Sequence, residues 1–167
     1  MNAIKKPVMK TFSIEIKWGL RYIFAYLGWI FLEKFSGVYT DRIALYFLFS
    51  LLFYLFAFIM YMIAVKEKRD SFFEGKMDWK QGCMSGIVLT LVIALLMPLA
   101  QTAIHKGIAP EFLTNMAAHS LKAKNADTNA IQNYFSLGAY IWQSVYMALS
   151  IGFVYAAIVA RFLRTKV

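Results

Sequence analysis

The chain has 167 residues, of which 60% are hydrophobic and 17% are aromatic, and it carries a net charge of +9. Soluble domains are usually about 45–50% apolar, and a soluble domain of this size could not bury that much apolar surface. The basic residues flank the hydrophobic runs and do not cluster on a polar domain, which indicates the loops of a membrane protein and no nucleic-acid partner. The single cysteine, Cys83, excludes an intramolecular disulfide.

The first apolar stretch, residues 18–32, follows a basic segment. A basic start and an apolar centre also fit a cleavable signal peptide. However, no A-x-A-like site follows the stretch, and Arg21 interrupts it. We therefore interpret residues 18–32 as a retained span, with Lys17 and Arg21 reaching back to the inner interface.

The second span, residues 44–65, contains 22 consecutive residues without a charged side chain. A helix of this length is about 33 Å long, enough to cross a hydrocarbon core of about 30 Å. The following segment, residues 66–82, mixes charged and aromatic side chains, as expected of an inner loop at the headgroup level. Its candidate contacts to lipid or a partner are Arg69, Asp70, Gly75, Trp79 and Lys80. Alternating charge is also typical of solvated anchoring without any specific contact.

The third span, residues 83–104, and the fourth, residues 137–160, enclose an outer loop at 105–135 with a short helix over about 110–124. With an inner N-terminus, the outer side holds five basic residues and the inner side thirteen. This bias predicts that both termini are cytoplasmic. The fold prediction is an all-α membrane domain over residues 1–167 with four transmembrane helices, a short interfacial segment and one outer helical loop.

Small residues recur at every fourth position in the last two spans, and such residues let helices approach closely in lipid. The predicted packing residues are Gly82, Gly86 and Thr90 in the third span and Ser144, Ala148, Gly152, Ala156 and Ala160 in the fourth. We expect these two helices to pack against each other or against a partner, although chance spacing of common small residues is the alternative.

Chemical sites are not apparent from the sequence. No Asp or Glu lies within the four predicted spans, so proton-coupled transport by this chain alone is not expected. His105 and His119 are fourteen residues apart in the outer loop and have no metal-ligand spacing. The chain contains no nucleophile elbow, P-loop or H-E-x-x-H motif. We therefore predict no catalytic residue, metal or cofactor.

The segment from Lys66 to Asp70, the glycine turn at Gly75, Trp79, Gly82 at the start of the third span, and an Ile-x-Pro-x-Phe pattern at 108–112 resemble the DUF4199 family. The resemblance covers about residues 55–113 well and the final span loosely. This chain departs from the family in having Glu74 where members often have a second glycine. The family is associated with Bacteroidota, and its function is unknown. The resemblance implies a four-span inner-membrane protein and assigns no catalytic residue.

These observations favour a non-enzymatic protein of the bacterial inner membrane that acts as an accessory or structural subunit. Its expected partners are membrane lipids and either another membrane protein or a second copy of the chain. One alternative is an auxiliary component of lipid-linked glycan or envelope metabolism that uses the inner loop. Another is a small channel or carrier that works as an oligomer.

Overall fold

The computed structural model describes residues 8–123 and 127–165, and within these ranges the regular structure is entirely helical. The helices are α1 (Val8–Phe35), α2 (Tyr46–Phe72), α3 (Trp79–Ala103), α4 (Phe112–Ala123), α5 (Thr128–Tyr134) and α6 (Leu137–Leu163). A 3₁₀ turn, Ile43–Leu45, precedes α2, and a π-helical turn, Ile104–Ile108, continues α3. The all-α prediction is therefore confirmed for the described part of the chain.

Three helical stretches of the described chain are long and apolar enough to cross a membrane: Ile43–Phe72, Trp79–Ile108 and Leu137–Leu163. They contain the predicted second, third and fourth spans. Helix α1 does not meet the same measure, because Lys17, Arg21 and Glu33 interrupt or border its apolar part. By length and composition, these three candidate spans are consistent with a multi-pass membrane protein.

The four long helices, α1, α2, α3 and α6, form an antiparallel bundle, as contacts at one of its ends demonstrate. At one end, which we call the basic end, Lys17 and Trp18 near the start of α1 bind Glu67 near the end of α2. At the same end, the turn before α3 contacts the end of α6, where Met77 N donates to Thr165 Oγ1 over 2.9 Å. The end of α1, the start of α2, the end of α3 and the start of α6 therefore lie together at the opposite end.

Helices α3 and α6 pack backbone to backbone near the basic end. A Cβ added to Gly86 would lie 2.6 Å from Ala156 Cβ, and one added to Gly82 would lie 3.1 Å from Ala160 Cβ. One turn further along, a Cβ on Gly152 would lie 2.5 Å from Thr90 Cγ2. These separations leave no room for a side chain at the three glycines, so small residues are required for this interface.

The connection between α2 and α3 is shorter than the inner loop predicted over residues 66–82. Helix α2 continues to Phe72, because its charged residues are good helix formers and the first helix-breaking residue is Gly75. Gly75 and the preceding Glu74 have φ angles of 82° and 53° and reverse the chain. Asp78 then begins α3 with a reciprocal capping box to Gln81.

Helix α4, in the segment predicted as the outer loop, covers the opposite end of the bundle, and we call this covering the roof. The predicted helix at about 110–124 is observed as α4, and Phe112 at its start is buried among the rings of Tyr39, Tyr46, His105 and Tyr140. Asn115 fixes α4 to the α1–α2 connection by donating to the Tyr39 carbonyl over 2.8 Å. These aromatic rings of the roof separate the space between the helices from the solvent at this end of the bundle.

Candidate functional site: an aromatic cavity between the helices

A cavity of about 470 Å³ lies between α1, α2, α3 and α6 and extends from the middle of the bundle to the roof. Its walls are mainly aromatic and aliphatic and include eight tyrosines, among them Tyr22, Tyr26, Tyr54 and Tyr140. A volume of this size and a mostly apolar lining with a few polar groups are typical of small-molecule sites.

The cavity exists because the small-residue stripe of α6 has two different environments. Gly152, Ala156 and Ala160 meet α3, as described above. Ala148 and Ser144, one and two turns from Gly152 towards the roof, line the cavity, as Gly152 itself also does. Small side chains at these two positions therefore leave space between α6 and its neighbours.

Tyrosine hydroxyls join α2 to α6 at both ends of the cavity. Near the roof, the hydroxyls of Tyr46 and Tyr140 lie 2.9 Å apart. Towards the middle of the bundle, the Tyr155 hydroxyl donates to the Tyr54 carbonyl over 2.9 Å. These two bridges hold α2 and α6 at a fixed separation along the cavity.

The exposed lining residues mark where the cavity opens. Phe47 and Leu51 on α2 are 78% and 47% exposed, and Met147 on α6 is 51% exposed. Tyr134, at the end of α5, completes this rim and is 56% exposed. Because α4 covers the end of the bundle, the opening lies between α2 and α6 and faces sideways.

Glu33 supplies the carboxylate of the cavity. Its side chain is 2% exposed and accepts hydrogen bonds from Trp29 Nε1, over 3.0 Å, and from the Tyr39 hydroxyl. Burial, together with the adjacent Glu33 carboxylate, raises the pKa of the Tyr39 phenol, so this hydroxyl stays protonated and keeps donating. No lysine, arginine or histidine is among the lining residues in the described part of the chain.

The wall of the cavity next to Glu33 is held by ring packing. Phe53 contacts Tyr26 and Trp29 with ring centroids 5.1 and 5.8 Å apart. Gln101 Nε2 donates to the Tyr26 hydroxyl over 3.2 Å and fixes that ring from α3. Side chains of three helices, α1, α2 and α3, thus form this wall together.

The interfacial residues predicted from the sequence lie at the basic end, away from the cavity. Arg69 Nε binds Asp70 Oδ1 over 2.8 Å, and Trp79 Nε1 donates to the Ala157 carbonyl over 3.1 Å. Gly75 occupies the turn between α2 and α3, and Lys80 is exposed on the first turn of α3. None of the five lines the cavity.

The basic end also contains a buried ion pair that the sequence did not predict. Glu15 and Lys68 are 2% and 3% exposed, and Lys68 Nζ lies 3.0 Å from Glu15 Oε1. Ser85 Oγ of α3 donates to the same oxygen over 2.8 Å. Helix α1 extends beyond the predicted span of residues 18–32 at both ends, so it contains both Glu15 and Glu33. The cluster joins three helices and is separate from the cavity.

Comparison with known proteins identifies a family. The sequence profile of a family described as "Protein of unknown function (DUF4199)" matches residues 17–165. No curated protein and no solved structure matches the chain significantly. The match includes all six helices, in whole or in large part, and every residue that lines the cavity.

Proposed function

The chain belongs to the DUF4199 family of proteins of unknown function, and we propose that it is a non-enzymatic membrane protein that binds a lipid-like amphipathic molecule. In this proposal it spans the bacterial inner membrane four times, with both termini in the cytoplasm. The ligand enters sideways from the bilayer between α2 and α6. The observation that carries the proposal is the aromatic cavity with its apolar, laterally exposed rim.

The two faces of α1 support its role as the fourth span. Glu15, Gly19, Tyr22, Ile30 and Glu33 are buried against the bundle. The other face exposes large apolar side chains: Ile16, Leu20, Phe24, Phe31 and Phe35. From the first of these to the last, the helix rises roughly 28 Å, close to the thickness of a hydrocarbon core. Such a face is suited to lipid.

The position of Arg21 agrees with this arrangement. Its guanidinium lies 4.9 Å from the Trp18 ring, in the half of α1 nearer the basic end. A long basic side chain there can extend to the headgroups while its stem stays in the apolar layer. With the basic end in the cytoplasm, the same orientation satisfies the positive-inside bias of the sequence.

The cavity favours ligand binding over the accessory-subunit hypothesis. That hypothesis drew on the small-residue faces of α3 and α6 as surfaces for a partner. Gly82, Gly86 and Gly152 instead contact the neighbouring helix of the same chain, so they offer no free surface. The residues predicted for an inner loop that binds lipid-linked substrates do not line this cavity.

Photolabelling tests the proposed ligand class. The probe is dodecanol with a diazirine on its alkyl chain, added to the protein in alkyl maltoside micelles. We expect crosslinks concentrated on cavity residues of α2 and α6, such as Leu51 and Met147. Crosslinks distributed equally over lipid-facing residues outside the cavity, such as Phe24 and Leu95, would contradict the proposal.

A pair of serine variants controls for general hydrophobic adsorption. Ser144→Trp places a large ring in the cavity, whereas Ser150→Trp adds the same ring to an exposed position of the same helix. Specific labelling should be lost in the first variant and kept in the second. Equal labelling of both folded variants would also count against the cavity.

A further inference from the structure

The polar end of the cavity has the chemistry of an organic-cation site. Resting on the proposed function, we infer that the cavity selects amphipathic molecules with a cationic, ammonium-type head, held by Glu33 and the aromatic rings beside it. The alkyl chain then extends along α2 and α6 towards the middle of the bundle. The inference deepens the proposed function by assigning the charge of the ligand.

The charges of the cavity lining are complementary to a cationic head group. Glu33 is the one carboxylate among the described lining residues, and no basic side chain lines the cavity with it. The adjacent Lys34 binds the Ile108 carbonyl and lies 3.7 Å from Glu111 Oε1, so its ammonium is engaged by the roof. A buried carboxylate without an opposite charge is costly, and a cationic head group in the cavity offsets that cost.

Glu33 also retains the capacity to bind a ligand. An ionised carboxylate offers about four acceptor sites, and the structure uses one on each oxygen, for Trp29 and Tyr39. Both donors are neutral groups that orient the carboxyl group and supply no opposite charge. The remaining acceptor sites are available to an N–H donor, and the net charge is available to a quaternary ammonium group.

The aromatic wall next to Glu33 also favours a cation. Trp29, Tyr26 and Tyr46 line the same cavity as Glu33. Aromatic faces attract organic cations through the ring quadrupole, and cages of such rings are used to recognise quaternary ammonium groups. Rings next to a carboxylate therefore prefer a cation to a neutral or anionic head.

The position of Glu33 along the bundle suits the head group of an amphipathic molecule. Glu33 lies in the last turn of α1, beside the roof, which is the level where lipid headgroups occur in a four-span arrangement. From Tyr46 to Tyr61, the cavity follows α2 for roughly 22 Å, at about 1.5 Å per residue. This distance accommodates an alkyl chain of moderate length below the head group.

A competition experiment tests the charge preference. Dodecyltrimethylammonium, dodecanol and dodecanoate each compete with the diazirine-tagged dodecanol for the protein in maltoside micelles. The chain lengths are equal, so the comparison isolates the head group. We expect the cation to compete at a concentration on the order of tenfold lower than dodecanol, and dodecanoate to compete least well.

Glu33→Gln and Asp41→Asn provide the matched variants. Asp41 is exposed in the α1–α2 connection and does not line the cavity, so Asp41→Asn removes a carboxylate from the same end of the molecule. Glu33→Gln should abolish the advantage of the cation over dodecanol, and thermal unfolding in detergent reports whether the variant is folded. Asp41→Asn should retain the full preference.

The outcomes separate this inference from the proposed function. Specific cavity labelling with equal competition by all three probes, or with the preference unchanged in Glu33→Gln, would overturn the cationic assignment and keep the amphipath site. If dodecanol competition is itself lost in Glu33→Gln, Glu33→Asp is the second variant. It retains the charge and must restore the cation preference, and failure to do so contradicts the inference. Absence of any specific labelling of the cavity would overturn both.

Discussion

The hydroxyl of Tyr46 on α2 lies 2.9 Å from the hydroxyl of Tyr140 on α6, directly beneath the Phe112 ring of the roof. This hydrogen bond joins two helices at the roofed end of the cavity. It therefore connects the stability of the bundle to the width of the opening through which we propose that a ligand enters.

Removing either hydroxyl should have the same effect on stability. We expect Tyr46→Phe and Tyr140→Phe each to lower the free energy of unfolding in detergent by about 0.5–1.5 kcal/mol, since a net hydrogen bond is lost. The double variant should cost little more than one single variant, which a double-mutant cycle measures. Tyr134→Phe, at an exposed rim position, is the control. Fully additive costs would contradict the bridge.

The α3–α6 interface should not tolerate a larger residue at Gly152. Any Cβ there would lie 2.5 Å from Thr90 Cγ2 and 2.8 Å from the Tyr61 hydroxyl. We expect Gly152→Leu to destabilise the protein by at least about 1–3 kcal/mol, the usual range for overpacking. Gly138→Leu on the same helix is the control, because a Cβ at Gly138 meets nothing within 4 Å. Equal thermal stability of both variants would contradict the close packing.

The buried ion pair at the basic end should be sensitive to the loss of one partner. Glu15→Gln removes the carboxylate that faces the buried Lys68 ammonium, so we expect a loss of about 3–5 kcal/mol. Glu74→Gln, an exposed change at the same end, should have almost no effect. Replacing both partners by apolar residues, Glu15→Leu with Lys68→Met, should recover most of the stability. A double variant worse than Glu15→Gln would contradict this account.

Labelling from the two sides of the membrane tests whether α1 is a span. In a Cys83→Ser background, Asn2→Cys and Lys76→Cys should react with an impermeant maleimide from the cytoplasmic side, and Thr40→Cys and Lys106→Cys from the other side. The same reactivity of Asn2→Cys and Thr40→Cys from one side would remove α1 from the set of spans.

Much of the bundle could be predicted because apolar runs without charge have few alternatives to a membrane helix. The ends of the helices were less predictable, since Lys, Glu and Arg continue α2 past its apolar part to Phe72. The same extension of α1 includes Glu15 and Glu33, which lie outside the predicted span of residues 18–32.

One wall of the cavity corresponds to a sequence pattern that a count of apolar residues does not reveal. Tyr22, Tyr26, Trp29 and Glu33 follow each other at helical spacing and share one face of α1. A face of aromatic groups ending in a carboxylate is unusual for a helix surface in contact with lipid. The second wall, formed by α2 and α6, depends on tertiary packing and on the bridges of Tyr46 and Tyr155, which sequence spacing alone does not specify.

Anomalous diffraction can show whether the cavity holds an amphipathic cation. Crystals would be grown with dodecyltrimethylammonium that carries a bromine at the end of its alkyl chain. We predict a bromine peak between α2 and α6, at the inner end of the cavity near Tyr61 and Tyr155, with density for the head group beside Glu33. A bromine peak confined to the outer surface of the bundle, for example beside Leu95, with nothing in the cavity, would contradict the account.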